Sequence, residues 1–215
     1  MKKTSLFRDE AISLVGFDPN KQIYVVNPEA AAILKAIPPP IGVIGVAGMY
    51  RTGKSYLLNR MLLNRSDGFG VGPTVNPCTK GLWMWGNPLK GTMSDGQPIN
   101  ILVVDSEGIG ALDEDSNHDT KIFSLTVLLS SIFIYNSVGS IDESAIQNLS
   151  LVVNLTKNIQ LKSSGNEEND AEDFAMYFPS FVWIIRDFTL QLVDQVISCF
   201  KFNDSFIFFY KNLVR

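Results

Sequence analysis

The sequence predicts an α/β domain built on a mostly parallel sheet with helices on both faces. Three observations predict it. The apolar run Ile41-Gly42-Val43-Ile44-Gly45-Val46 leads into Gly48-Met49-Tyr50-Arg51-Thr52-Gly53-Lys54-Ser55 and then Leu57-Leu58, a strand, loop, helix order. A second apolar run, Ile101 to Val104, stops at Asp105. A third, Phe181 to Ile185, delivers Arg186 and Asp187. Strands that alternate with helices pair in parallel, and such sheets bind ligands beyond the carboxyl ends of their strands. All three candidate motifs fall there.

Taken in order, Gln22 to Val26 alternates as a short strand. Asn27-Pro28 then opens a capped helix with proline at its first position, running through Ala30-Ala31-Ala32-Ile33-Leu34 until Pro38-Pro39-Pro40 ends it. After the Gly-rich loop, a helix from Lys54 to Leu63 places Leu57, Leu58, Met61 and Leu62 on one face. Residues Ser66 to Thr79, rich in Gly, Pro and Asn, read as a mobile loop before the strand Gly81-Leu82-Trp83-Met84-Trp85. Trp83 and Trp85 alternate along it, which suits packing better than base stacking. Ile99 to Val104 is the next strand. Ser124 to Ile134 is so apolar that helix followed by strand cannot be separated by periodicity. Ser140-Ile141-Asp142-Glu143 forms a capping box for a helix toward Leu161, with Ile141, Ala145, Leu149 and Val152 on one side. An acidic loop, Ser163 to Asp173, precedes the last strand.

Composition narrows the class. With 215 residues, 46% apolar and 19% charged, the chain is of globular type. A formal charge of -4 gives no overall basic field, so neither nucleic acid nor an anionic membrane is implied as partner. Cys78 and Cys199 stand outside any CxxC or metal-ligand spacing, which suits a reducing cytoplasm. Met1 to Gly16 holds no signal-peptide core, and no segment reaches the roughly 18 uninterrupted apolar residues of a membrane helix.

Gly48 to Ser55 fits GxxxxGKS, a loop that turns backbone N–H groups toward phosphates at a helix start. Lys54 reaches the outer phosphates in such loops, and Ser55 the magnesium ion. Asp105-Ser106-Glu107-Gly108 has the DxxG form found beside a terminal phosphate, with Asp105 toward magnesium and Gly108 offering its N–H. Ile109 follows where small Ras-like GTPases have a water-orienting glutamine. Asp113-Glu114-Asp115 with His118 and Asp119 reads as solvated surface in the same loop rather than a metal site. His118, the only histidine, has no nucleophile or carboxylate at a defined spacing.

The stretches GMYRTGKSYLLNRML (Gly48 to Leu62), GPTVNPCTKGLWMW (Gly72 to Trp85) and DSEG (Asp105 to Gly108) resemble the guanylate-binding proteins, in the dynamin-related superfamily with the atlastins. SLTVLLSSIFIYNSVGSID and DFAMYFPSFVWIIRDF extend the similarity from about Gln22 to Asp194. The resemblance implies a Ras-like P-loop GTPase domain that binds GTP with Mg2+, hydrolyses it to GDP and phosphate, and pairs with a second copy across the nucleotide faces. It implies that Gly48, Tyr50, Arg51, Thr52, Gly53, Lys54, Ser55, Tyr56 and Gly108 contact nucleotide. Thr79 matches the first-switch threonine, whose hydroxyl binds magnesium and whose carbonyl orients water. Arg51 matches an internal arginine finger, and Glu107 is either a member of the water network or half of a structural ion pair. Arg186-Asp187 occupies the place of the family's Arg-Asp pair, with Asp187 accepting two hydrogen bonds from guanine. Thr156-Lys157-Asn158-Ile159 imitates a guanine motif but lacks its Asp.

Two departures qualify the resemblance. Pro77 stands where well-known vertebrate members carry a serine that helps manage the catalytic water. The similarity stops near Asp194, before the family's guanine-capping loop and remaining strand. The expected organisation is therefore an N-terminal segment (1–21), an incomplete GTPase domain (22–194) and a divergent Phe-rich tail (195–215), as a truncated or misspliced transcript leaves. A non-catalytic nucleotide-binding or interaction fragment is the alternative function, and an ATPase the third.

Overall fold

The structure is a computed structural model that describes residues 6–71, 81–110, 116–139, 143, 146–147, 150, 179–187, 199–202 and 205–210. In chain order its elements are β1 (Ala11–Asp18), β2 (Ile23–Val26), α1 (Pro28–Ala36), β3 (Ile41–Ala47), α2 (Lys54–Leu57), β4 (Leu82–Trp85) and β5 (Leu89–Thr92). They continue as β6 (Pro98–Ser106), α3 (Ser116–Leu129), β7 (Ile132–Val138), β8 (Ser180–Arg186), β9 (Cys199–Phe202) and β10 (Ser205–Tyr210).

One sheet joins all the strands, in the order β2-β1-β4-β6-β3-β7-β8-β10-β9, with β5 paired beside β6. Its centre is parallel, as the sequence predicts: β6, β3, β7 and β8 run the same way. Register brings their carboxyl ends together, with Val46 opposite Asp105, Ala47 opposite Tyr135 and Val138 opposite Arg186. Both wings are antiparallel. The N-terminal segment enters the sheet through β1, which pairs with β2 and β4. The Phe-rich tail does so through β10 and β9, so β8 is not an edge.

Helices lie on both faces. α1 has the predicted start: Asn27 accepts a hydrogen bond from the Glu29 N–H at 2.9 Å, and Pro28 costs nothing where no backbone donor is needed. Ile33 of α1 and Ile122 of α3 are buried with Ile12, Leu14, Leu82, Met84, Leu102 and Val104 of the sheet. Farther along α3, Phe123 and Val127 cover Phe133, Tyr135, Phe181 and Trp183. On the opposite face Leu57 and Leu58 pack with Val46, Val103, Ile134 and Ile184.

The apolar stretch 124–134 divides at Ser130-Ser131, α3 before and β7 after. The helix after the Gly-rich loop is α-helical only to Leu57 and continues as a π-helical turn, Leu58–Leu62, closed by Leu63 N–H to Leu58 carbonyl at 3.0 Å. That wider winding corrects the predicted face: Leu57 and Leu58 are buried, whereas Met61 is 38% exposed and Asn59 turns inward at 2%. Asn59 donates to and accepts from the Phe69 backbone, seating Phe69 against Trp85. The predicted 140–161 helix is described only at Glu143, Ile146, Gln147 and Ser150, all helical. Thr156 to Ile159 and the acidic loop lie outside the described residues.

Phe133 is fully buried, edge-on to Phe123 at 5.5 Å and 6.0 Å from Phe181. Phe133→Ala therefore removes the common member of three rings, and chemical denaturation should show a loss of about 3–5 kcal/mol. A loss below about 1 kcal/mol would contradict this account of the core.

Candidate functional site

The site begins where β3 leaves the sheet. Residues 48–53 reverse the chain using left-handed backbone at Arg51 (φ 60°) and Gly53 (φ 81°), and α2 starts at Lys54. Glycine suits Gly53 because of this left-handed backbone, and the missing Cβ leaves room for the Arg186 guanidinium to approach. The loop is held from inside: the Thr52 hydroxyl and Lys54 ammonium both donate to the Met49 carbonyl, at 2.8 and 3.0 Å. Two distant side chains fix its far end. Asn136 Nδ2, from β7, and Arg186 Nη1, from β8, each donate to the Thr52 carbonyl at 2.9 Å.

The DSEG turn docks alongside. Tyr50 N–H donates to the Ile109 carbonyl at 2.9 Å, and Ile109 N–H to the Gly48 carbonyl at 3.1 Å. The approach is so close that a Cβ on Gly108 would lie 2.2 Å from the Tyr50 Cα. Gly108 is thus required by packing between two backbones as well as by any anion.

Between these loops sit the charged groups. Lys54 is 6% exposed and Asp105 fully buried. Burial pulls the Lys54 ammonium below the ordinary lysine value, and the Asp105 and Glu107 carboxylates offset only part of this. Ser55 Oγ donates to Asp105 Oδ2 at 2.6 Å. A hydroxyl and a carboxylate oxygen brought together beside a phosphate loop form a hard-oxygen donor pair, which fits Mg2+.

Arg51 and Tyr56 are exposed, Tyr56 at 48%, on the side of the loop open to solvent. Asp187 ends β8 in left-handed backbone (φ 53°) and is exposed beside the pinned loop. The two halves of the Arg-Asp pair thus face different tasks. Arg186 braces the phosphate loop through Thr52, and Asp187 is left facing outward.

Thr79 lies outside the described residues, as do Pro77 and Asp113 to Asp115. Glu107 is described, and its carboxylate is engaged away from the phosphate loop. Its Oε2 accepts from Gly81 N–H at 2.7 Å, its Oε1 accepts from the His118 ring, and its own N–H donates to the Gly81 carbonyl at 2.9 Å. His118, which has no carboxylate at a defined spacing in the sequence, meets the Glu107 carboxylate in the fold. It is also helical, as is Asp119, correcting the assignment of both to a loop. No motif spacing signals that contact, which joins the DSEG turn to α3. Asp119 Oδ2 accepts from Gly110 N–H at 2.7 Å. Among the described residues no cluster of His, Cys, Asp and Glu has the makings of a metal site.

This arrangement of a glycine-rich loop between a central parallel strand and a helix, with a buried lysine and a serine–aspartate pair at the strand ends, defines a Ras-like P-loop domain. The family model "Guanylate-binding protein, N-terminal domain" matches residues 21–200, so the chain belongs to the guanylate-binding protein family. It is 46% identical over 179 residues to human guanylate-binding protein 2, covering 81% of this chain and 29% of that protein. Guanylate-binding protein 1 of Chlorocebus aethiops is 46% identical over 172 residues, covering 78% and 28%. Mouse guanylate-binding protein 3 is 44% identical over 177 residues, covering 80% and 27%. The match spans less than a third of these curated relatives. No described helix is long and apolar enough to cross a membrane.

Proposed function

We propose that this domain binds GTP with Mg2+ and hydrolyses it to GDP and phosphate in a reducing cytoplasm. One observation supports the reading: Lys54 and Ser55 at the start of α2, Asp105 near the end of β6 and Asp187 just past β8 lie toward the carboxyl ends of the parallel strands, with Ser55 bonded to Asp105 and Arg186 bonded to Thr52. The backbone of Gly48, Tyr50, Thr52 and Gly53 wraps the phosphates, Lys54 pairs with the outer ones, and Gly108 meets the terminal one. Ser55, Asp105 and Thr79 hold the magnesium ion, which when bound neutralises charge on the outer phosphates. Thr79 orients water, Arg51 offsets charge on the transferring group, and Glu107 contributes by holding Gly81, two residues after Thr79. Exposed Met49 and Tyr56, on the nucleotide side, suit a second copy that pairs when nucleotide is bound.

Asp187 supplies the base choice. Its carboxylate can accept from guanine N1–H and the 2-amino group together, and adenine offers neither donor. Asp187→Asn replaces one acceptor with a donor. Affinity for GTP should fall about tenfold to a hundredfold, while xanthosine triphosphate, which has a carbonyl in place of the 2-amino group, should gain. Competition titrations with GTP, xanthosine triphosphate and ATP check this, and an unchanged base preference would move the base site elsewhere. Colorimetric phosphate release with and without Mg2+ tests the hydrolysis. Tight GTP binding with no phosphate released would reduce the domain to a nucleotide-binding module.

A further inference from the structure

We propose that His118 is a positioning residue for the reaction, fastening Glu107 onto Gly81 and so fixing the chain just beyond Thr79 relative to Asp105. This rests on the GTPase reading above, which assigns Thr79 its role. Four elements meet at His118. Its ring stacks on Tyr24 of β2 at 5.6 Å and meets Phe17 of β1 edge-on at 5.5 Å. The Tyr24 hydroxyl lies 2.8 Å from Nδ1, and Nε2 faces the Glu107 carboxylate. A carboxylate only accepts, so Nε2 carries the proton, and in the neutral ring Nδ1 then accepts from Tyr24.

The consequence falls on Glu107. Its side chain is 6% exposed, and a buried carboxylate needs a donor for each oxygen. Gly81 N–H serves Oε2 and His118 serves Oε1. With Glu107 N–H also donating to the Gly81 carbonyl, residues 81 and 107 form a double link between the start of β4 and the DSEG turn. His118 keeps the carboxylate in the one orientation that closes it. The adjacent Asp119 holds Gly110 by its N–H, so the first turn of α3 grips the turn on both sides of Gly108.

The test compares His118→Ala, His118→Gln and Tyr24→Phe in the full chain. In amide hydrogen exchange without nucleotide, His118→Ala should speed exchange at Gly81 and Glu107 about tenfold, the size of one lost charge-assisted hydrogen bond, with β3, β6 and β7 unchanged. His118→Gln keeps an N–H for Glu107 and should restore most of the protection. Tyr24→Phe should fall between. In steady-state hydrolysis, His118→Ala should lower kcat by about tenfold to a hundredfold with KM little changed, and His118→Gln should recover it. Exchange that rises evenly over the sheet, or stays as in the wild type, would overturn the proposal, as would a His118→Gln chain no better than His118→Ala. A wild-type chain that turns over no GTP contradicts the enzyme reading itself, whereas the exchange comparison still decides whether His118 holds Gly81.

Discussion

Lys54→Ala should abolish saturable binding of GTP by this domain. The structure explains why one side chain carries so much. Lys54 is almost wholly withdrawn from water, and its one hydrogen bond among those described is to the Met49 carbonyl at 3.0 Å. A neutral carbonyl is a weak match for a buried ammonium, and the lowered proton affinity of Lys54 reflects that cost. In the proposed site a triphosphate adds counter-charge to that of the Asp105 and Glu107 carboxylates. Losing such a charge-assisted contact costs about 1.5–3 kcal/mol where solvent can compensate, and more where it cannot. Equilibrium titration checks this, and a Lys54→Ala chain that binds within a few-fold of wild type would remove the phosphate loop from the account. The same burial predicts a pH signature. Because folding lowers the Lys54 value, the unfolded chain holds the proton more tightly between that lowered value and 10.5, so nucleotide-free stability should rise with pH across this window. The Lys54→Ala chain should lack that rise, and denaturation profiles of the two separate this lysine from other groups that titrate.

Arg51→Ala should do the opposite: leave binding nearly intact and lower turnover by about 10³ to 10⁵. The residue is exposed at the turn of the loop, on left-handed backbone at φ 60°, which non-glycine residues adopt at some cost. In the proposed reaction this exposed arginine offsets charge that develops only in the transition state. Arg51→Gly relieves the backbone yet removes the guanidinium, so it should be as slow as Arg51→Ala and more stable. Arg51→Lys keeps a charge without the planar fork and should fall between. Single-turnover phosphate release, measured beside nucleotide affinity, distinguishes these outcomes. Turnover equal to wild type in Arg51→Ala would refute the finger.

What could be read from the sequence followed the chemistry. Phosphate binding demands glycine, lysine and serine at fixed spacing, so residues 48–55 declare themselves, as does Asp105 at the end of a long apolar strand. The parallel centre is legible because β3, the stretch Ile101 to Val104 of β6 and the stretch Phe181 to Ile185 of β8 are apolar runs. The wings are less so. β1 carries a register irregularity between Ser13 and Val15 that breaks its alternation, and β5 is four residues with a glycine inside. The π-helical turn leaves no mark, since Leu57, Leu58, Met61 and Leu62 fit an ordinary α-helical face and nothing in their spacing signals that Asn59 turns inward instead of Met61. The bracing of Thr52 by Asn136 and Arg186 joins positions 84 and 134 residues apart, and the contact between His118 and Glu107 arises from how α3 returns over the sheet. Such contacts depend on tertiary register, which spacing within one motif does not encode.

The most direct test of a folded guanine-nucleotide site is titration of the full chain with a fluorescent, non-hydrolysable GTP analogue and Mg2+, with unlabelled GTP and ATP as competitors. Saturable binding displaced by GTP and not by ATP is the predicted result. A soluble, folded chain that fails to bind the analogue, or releases it equally to ATP, would contradict the account.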